Sequence, residues 1–147
     1  AARFEGPDGG FYADPEGYIF PLQKSWEAPV RTVTGSFPMD LPKGYTGLLP
    51  SLPDRKWLLG ILDLVDYISG SKLWNARIGS ITVEPGGDVF LGLSDGREKI
   101  IFGGSDSFKE KFALLDDYYN YIRPSKEPGY YKTVNLKYHG QIICRQK

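Results

Sequence analysis

The chain has very little of the side-chain chemistry on which most active sites are built. Cys144 is the only cysteine and His139 the only histidine in 147 residues. One cysteine excludes an internal disulfide framework and a cysteine-built zinc cluster. One histidine, followed by a glycine in "YHGQ", leaves any Cys–His or Ser–His pair to be built on a turn residue, and an exposed imidazole is the simpler reading. Charge of one sign is lacking too. Lys plus Arg and Asp plus Glu number 18 each, so no net field points toward nucleic acid or anionic lipid. No stretch approaches the roughly 20 apolar residues of a membrane-spanning helix. The N-terminus has neither the basic region nor the hydrophobic run of a signal peptide. Its opening "AARFEG" reads as the middle of a longer chain, because apolar and charged residues begin with no cap or tail.

What is present is an ordinary core-forming composition. At 41% hydrophobic residues, the chain can bury one sizeable core, which makes 1–147 a single domain. Alternation and turn residues dominate its first third. "GGFYADPEGYIFPL" sets two short aromatic runs around Asp14-Pro15-Glu16-Gly17, with Pro second and Gly fourth in the turn, and so predicts a hairpin. A β-branched stretch predicts a strand over Val30 to Thr34, and the Pro- and Gly-rich segment from Pro38 to Pro50 reads as an irregular connection. From Trp57 the period becomes helical, with Leu58, Ile61, Leu62, Val65 and Ile68 on one face and Ser51 or Asp54 as N-cap.

Strands return in "RIGSITVE", "VFLGL" and "EKIIFGG", separated by the turns Pro85-Gly86-Gly87-Asp88 and Ser94-Asp95-Gly96-Arg97, a meander. A second helix follows, capped by Ser105, Asp106 or Ser107, with Phe108, Phe112, Leu115, Tyr119 and Ile122 on one face and Pro124 at its end. In "YYKTVNLKY", Val134, Leu136 and Tyr138 share one face of a strand, and "GQIICR" is the last strand. This order predicts an α+β fold: an antiparallel-rich sheet with two main helices laid on one face.

Catalytic readings find little support. Asp63 and Asp66, and Asp116 and Asp117, fall on helices as solvated carboxylates and form no spaced pair from facing elements. "GGDVFLGLSDG" lacks the Lys-Ser ending and the strand-to-helix setting of a phosphate loop, so its glycines are turn glycines. Cys144 shares its strand face with Ile142 and reads as a small hydrophobe. No metal or cofactor is expected. An aromatic content of 14% with Trp26, Trp57 and Trp74 leaves a carbohydrate- or peptidoglycan-binding module as the alternative function. Trp57 and Trp74 suit helix packing, which leaves Trp26 as the exposed platform.

The termination carries more information. A final strand with a neighbour on one side only exposes unused N–H and C=O groups, and natural proteins blunt such edges. Here Ile142 and Ile143 are strand formers and only Gln141, Arg145, Gln146 and Lys147 are polar. Such an edge is a docking site for a strand of another chain, main-chain bonds supplying affinity and alternate side chains specificity.

Taken together and in order, "GGFYADPEGYIFPL" leading to "TVTGSF", "REKIIFGG" before the helix "DSFKEKFALLDDYY", and the ending "VNLKYHGQIICRQK" resemble the extracytoplasmic β domain of the FtsQ/DivIB family of bacterial cell-division proteins. The "NLKY-x-GQ-x-x-C" ending is the sharpest of these motifs. The resemblance implies a non-catalytic divisome scaffold in a protein with a transmembrane helix and a POTRA domain, both absent from this sequence unless residues 1–6 are the POTRA tail. It places the domain on the periplasmic face of the inner membrane at the septum. The implied partners are FtsB/DivIC-like and FtsL-like proteins, a strand of FtsB adding to the last β-strand. Carried over by position, Lys137 meets an acidic partner residue and Tyr138 packs an apolar one. His139 and Gly140 form the turn, and Gln141, Ile142, Ile143 and Cys144 form the pairing strand. Where some relatives have an Arg, this chain has Glu84 and Pro85, so the resemblance implies no ion pair there. The turn at His139-Gly140 is also one residue shorter than in some relatives, which bears on pairing register.

Overall fold

A computed structural model describes residues 2–7, 9–22, 30–39, 41–42 and 44–146. The strands are β1 (Ala2–Gly6), β2 (Gly9–Ala13), β3 (Ile19–Pro21), β4 (Thr32–Gly35), β5 (Ile78–Val83), β6 (Val89–Leu93), β7 (Lys99–Gly103), β8 (Thr133–Asn135) and β9 (Ile143–Arg145). They form one nine-stranded sheet in the order β3-β2-β1-β4-β5-β6-β7-β8-β9. The pairs β1–β4, β4–β5 and β7–β8 are parallel, and every other neighbour is antiparallel.

Period-two alternation with an apolar residue at every inward position gives this sheet its core face. The register lines up one inward row across it: Phe11, Phe4, Val33, Ile81, Leu91, Ile100, Val134 and Cys144. All but Cys144 are buried. The opposite face carries Thr34, Thr82, Phe90, Ile101, Asn135 and Ile143 in the adjoining row.

The helices cover the inward face. Helix α1 (Leu52–Gly70) buries Leu58, Ile61, Leu62, Leu64, Val65 and Ile68. Of the two expected N-caps Ser51 serves, its side chain accepting from Asp54 N–H, and Pro53 fits the first turn, where no amide donor is needed. Ser71 closes α1 and caps α2 (Lys72–Arg77), its hydroxyl accepting from Trp74 N–H at 3.1 Å. Helix α3 (Phe108–Asp117) begins at Ser107, which adopts a left-handed conformation (φ 52°) and makes no side-chain cap bond, unlike the cap expected there. α1 and α2 connect the parallel strands β4 and β5, and α3 connects β7 and β8. Each is a crossover that a hairpin cannot supply.

The predicted face of the second helix holds: Phe112 and Leu115 are buried, and Phe108, Tyr119 and Ile122 pack partly buried against the core. Tyr118, three residues after Leu115, is buried on the same face, and a π-helical turn over Tyr118–Ile122 follows. Tyr119 lies between two guanidinium groups, Arg77 at 4.1 Å and Arg123 at 4.6 Å from its ring centre. A 3₁₀ turn over Arg123–Ser125, containing Pro124, ends the segment. The hairpin predicted around Asp14 is present: Asp14 Oδ1 accepts from Glu16 and Tyr18 N–H at 3.0 and 2.9 Å, and the strand after it runs from Thr32 to Gly35.

Phe4 sits in the inward row, fully buried, stacked on Phe11 at 4.8 Å and edge-on to Phe37 at 5.3 Å. Phe4→Ala is expected to cost about 3–5 kcal/mol in urea denaturation, the range for emptying a large core site. A loss below about 1 kcal/mol would show that β1 is not part of the cooperative core.

Candidate functional site

The C-terminal hairpin forms one end of the sheet. β8 pairs in parallel with β7, and Leu136 N–H extends the ladder to Ile101 O at 2.8 Å. Asn135 then ends the strand by accepting Lys137 N–H on its side-chain oxygen at 2.9 Å, an Asx-type turn. Tyr138, expected to share a strand face with Val134 and Leu136, lies past the end of the strand and is 54% exposed, whereas Val134 and Leu136 are buried. The chain reverses through Gly140 (φ 68°), with Gln141 N–H donating to Tyr138 O at 3.2 Å. Gly140 supplies the left-handed backbone that this turn requires.

The returning strand is Ile143–Arg145, shorter and later than the expected Gln141 to Cys144. Gln141 belongs to the turn and Ile142 precedes the strand. Both Ile142 and Cys144 pack against the core, while Ile143 pairs with Asn135 and lies on the open face. Burial, then the negative charge of Glu98, raises the Cys144 thiol above its ordinary pKa, so it is held as a neutral apolar group. His139 is exposed, its Nδ1 3.6 Å from Glu110 Oε2. The ammonium of Lys137 rests on Asp88 Oδ2 at 2.7 Å.

The two ends of the sheet are finished differently. At the β3 edge, Ile19 and Gly47 exchange both backbone hydrogen bonds at 2.9 and 3.0 Å, and Pro21 has no N–H to offer. That edge is capped by the chain's own backbone. At the β9 edge, among the described residues, no strand or bridge lies beyond Ile143–Arg145. Because successive backbone groups in a strand alternate sides, β9 directs one set to β8 and the other away from the sheet.

Beneath this edge lies a polar cluster that sequence reading missed. Glu98 is buried, accepts from Arg123 Nε at 3.0 Å and Nη2 at 2.8 Å, and receives the Tyr118 hydroxyl. Arg123 also holds Asp95 at the β6–β7 turn. Burial works against the Arg123 charge, but its bonds to Glu98 and Asp95 outweigh burial and raise its pKa. Burial, and behind it the bond to Glu98, raises the Tyr118 hydroxyl far above an ordinary phenol. The Tyr118 ring lies 6.4 Å from that of Tyr131, which leads into β8, so the cluster supports the terminal hairpin from the core side. The available signal was alternation: Glu98 shares a strand face with Ile100 and Phe102, and an inward carboxylate requires a cation.

Trp74 is buried and Trp57 packs on Phe37 at 6.1 Å, as expected for helix-packing residues, whereas Trp26 lies outside the described residues. Among the described residues, no group of three or more His, Cys, Asp or Glu side chains is placed to hold a metal ion, and no helix is long and apolar enough to cross a membrane.

A nine-stranded mixed sheet with helices packed on one face defines an α+β domain. The chain belongs to the FtsQ/DivIB, C-terminal related family, whose model matches residues 1–145. A search of curated proteins returned no match. Family membership assigns the chain to bacterial cell division, in a family of non-catalytic scaffolds that work with other division proteins.

Glu98→Gln removes the charge that balances buried Arg123 without changing its shape. It is expected to cost about 3–5 kcal/mol, the range for breaking a buried ion pair, measured by chemical denaturation. A loss below about 0.5 kcal/mol would show that the cluster is solvated and does not support the hairpin.

Proposed function

We propose that this domain recruits FtsB/DivIC-like and FtsL-like division proteins by accepting a strand along β9. In this reading the full-length protein is anchored in the cytoplasmic membrane and the domain stands on its periplasmic face at the septum. Ala2–Gly6, paired with β2 and β4, leads in from a preceding POTRA domain. The observation that carries the reading is the contrast between edges: the chain covers β3 with Gly47 and ends it with Pro21, and among the described residues does neither at β9. An uncovered edge of strand-forming residues invites uncontrolled pairing unless a partner occupies it.

The flanking side chains fit this use. Tyr138, exposed just before the turn, offers an aromatic anchor of the kind that dominates interface energetics. Lys137 supplies a cation beside it, and His139 and Gly140 shape the turn that brings Gln141 and Ile142 into β9. An added strand places alternate residues beside Ile143 on the open face and Cys144 on the core face, which sets its register.

Ile143→Pro tests the proposal. Among the described residues β9 is an edge strand and none of its residues is fully buried, so the domain is expected to keep its helical circular dichroism while affinity for the extracytoplasmic segment of the FtsB-like partner falls at least about tenfold. Global unfolding would make β9 indispensable to the core, and unchanged affinity would place the partner elsewhere.

A further inference from the structure

The segment carrying the open edge is charged in one direction. From Pro128 to Lys147 the sequence holds Lys132, Lys137, Arg145 and Lys147 and no aspartate or glutamate, in a chain whose charges cancel overall. The pairs Thr133 with Arg145 and Asn135 with Ile143 put Lys132 and Arg145 at one end of β9 and Lys137 past the other. A strand laid between them meets cations at both ends, so the partner chemistry that fits is a strand flanked by carboxylates.

One carboxylate of the chain itself already occupies part of that site. Past the last parallel pair, Ile101 with Asn135, Lys137 lies against Gly103, and Gly103 in turn pairs with Val89, the neighbour of Asp88. A Cβ on Gly103 would stand 2.9 Å from Lys137 Cγ and 3.2 Å from its Cβ. The lysine stem therefore crosses a strand position that has no side chain, and its ammonium reaches Asp88 Oδ2 at 2.7 Å. Asn135 fixes the Lys137 backbone. What remains free to swing is the end of the side chain, which is 42% exposed.

We propose that Asp88 is an intramolecular competitor for Lys137, which an acidic partner strand must displace to complete the interface. The inference rests on strand addition at β9. Two carboxylates cannot share one ammonium without mutual repulsion, and a paired Lys–Asp has lost most of its attraction for a distant anion. Displacement does not strand the carboxylate, because the Asp88 side chain is 37% exposed and can be solvated by water. The edge thus selects partners whose acid is placed well enough to replace Asp88, and passes over those that offer only hydrophobic strand formers.

The test is the affinity of the chain for the extracytoplasmic segment of the FtsB/DivIC-like protein, measured by calorimetry at low and at physiological ionic strength, with amide shifts recorded in parallel. Asp88→Asn, which keeps the shape of the side chain, is expected to tighten binding about two- to fivefold, the range of an exposed ion pair, and to steepen its salt dependence. Lys137→Gln is expected to weaken binding, and the Asp88→Asn/Lys137→Gln double variant to match Lys137→Gln alone. Unchanged or weaker binding by Asp88→Asn, with β9 amides still perturbed, would overturn the competition and leave strand addition standing. Absence of binding by every variant would overturn both.

Discussion

The structure depends on one row of inward side chains held in register across the sheet. From Phe11 through Phe4, Val33, Ile81, Leu91, Ile100 and Val134 to Cys144, neighbours on successive strands present their side chains to the same helices. A slip of one residue in any strand would turn its apolar set to the other face, so burial by α1 and α3 fixes the pairing of strands far apart in sequence. The row loses cover toward its end: Val134 is fully buried and Cys144 is not. The core thins where the sheet opens.

That thinning makes the C-terminal hairpin dependent on what lies under it. A three-residue terminal strand with half-buried residues has little hydrophobic stabilisation of its own. The Glu98, Arg123 and Tyr118 cluster provides polar anchorage at this point, joining the β6–β7 turn to the π-helical turn and, through Tyr118 and Tyr131, to the start of β8. A rigid β7–β8 support under an uncompleted β9 is the arrangement strand addition needs, since less of the docking surface has to be ordered when a partner arrives.

Much of the fold was legible in the sequence because it rests on short-range periodicity. The β5–β6–β7 meander, the hairpin around Asp14 and the buried face of α1 follow from alternation, turn residues and helical spacing. The parallel pairings were not legible, since nothing local records which strand a crossover helix returns to. The burial of Tyr118 was missed because the spacing followed from Leu115 was four, to Tyr119, where a spacing of three reaches Tyr118 on the same face, and the Arg77 and Arg123 guanidinium groups beside Tyr119 come from outside the helix. At the candidate site, the strand ending and the Gly140 turn could be read directly. Alternation alone could not place Tyr138, because the Asn135 side chain stops the strand before it. The Lys137–Asp88 contact joins residues 49 apart in sequence through a gap left by Gly103, and only the sheet register reveals it.

The central claim is that β9 is an incomplete edge which a partner strand completes. Residue-resolved amide hydrogen exchange, with and without the extracytoplasmic segment of the FtsB-like partner, tests it most directly. Amides in Ile143–Arg145 that face away from β8 should exchange quickly in the free domain and become protected in the complex, while the Ile19–Gly47 edge is unchanged. Protection confined to β3 or α1, or amides of β9 already protected in the free domain on both sides, would contradict it.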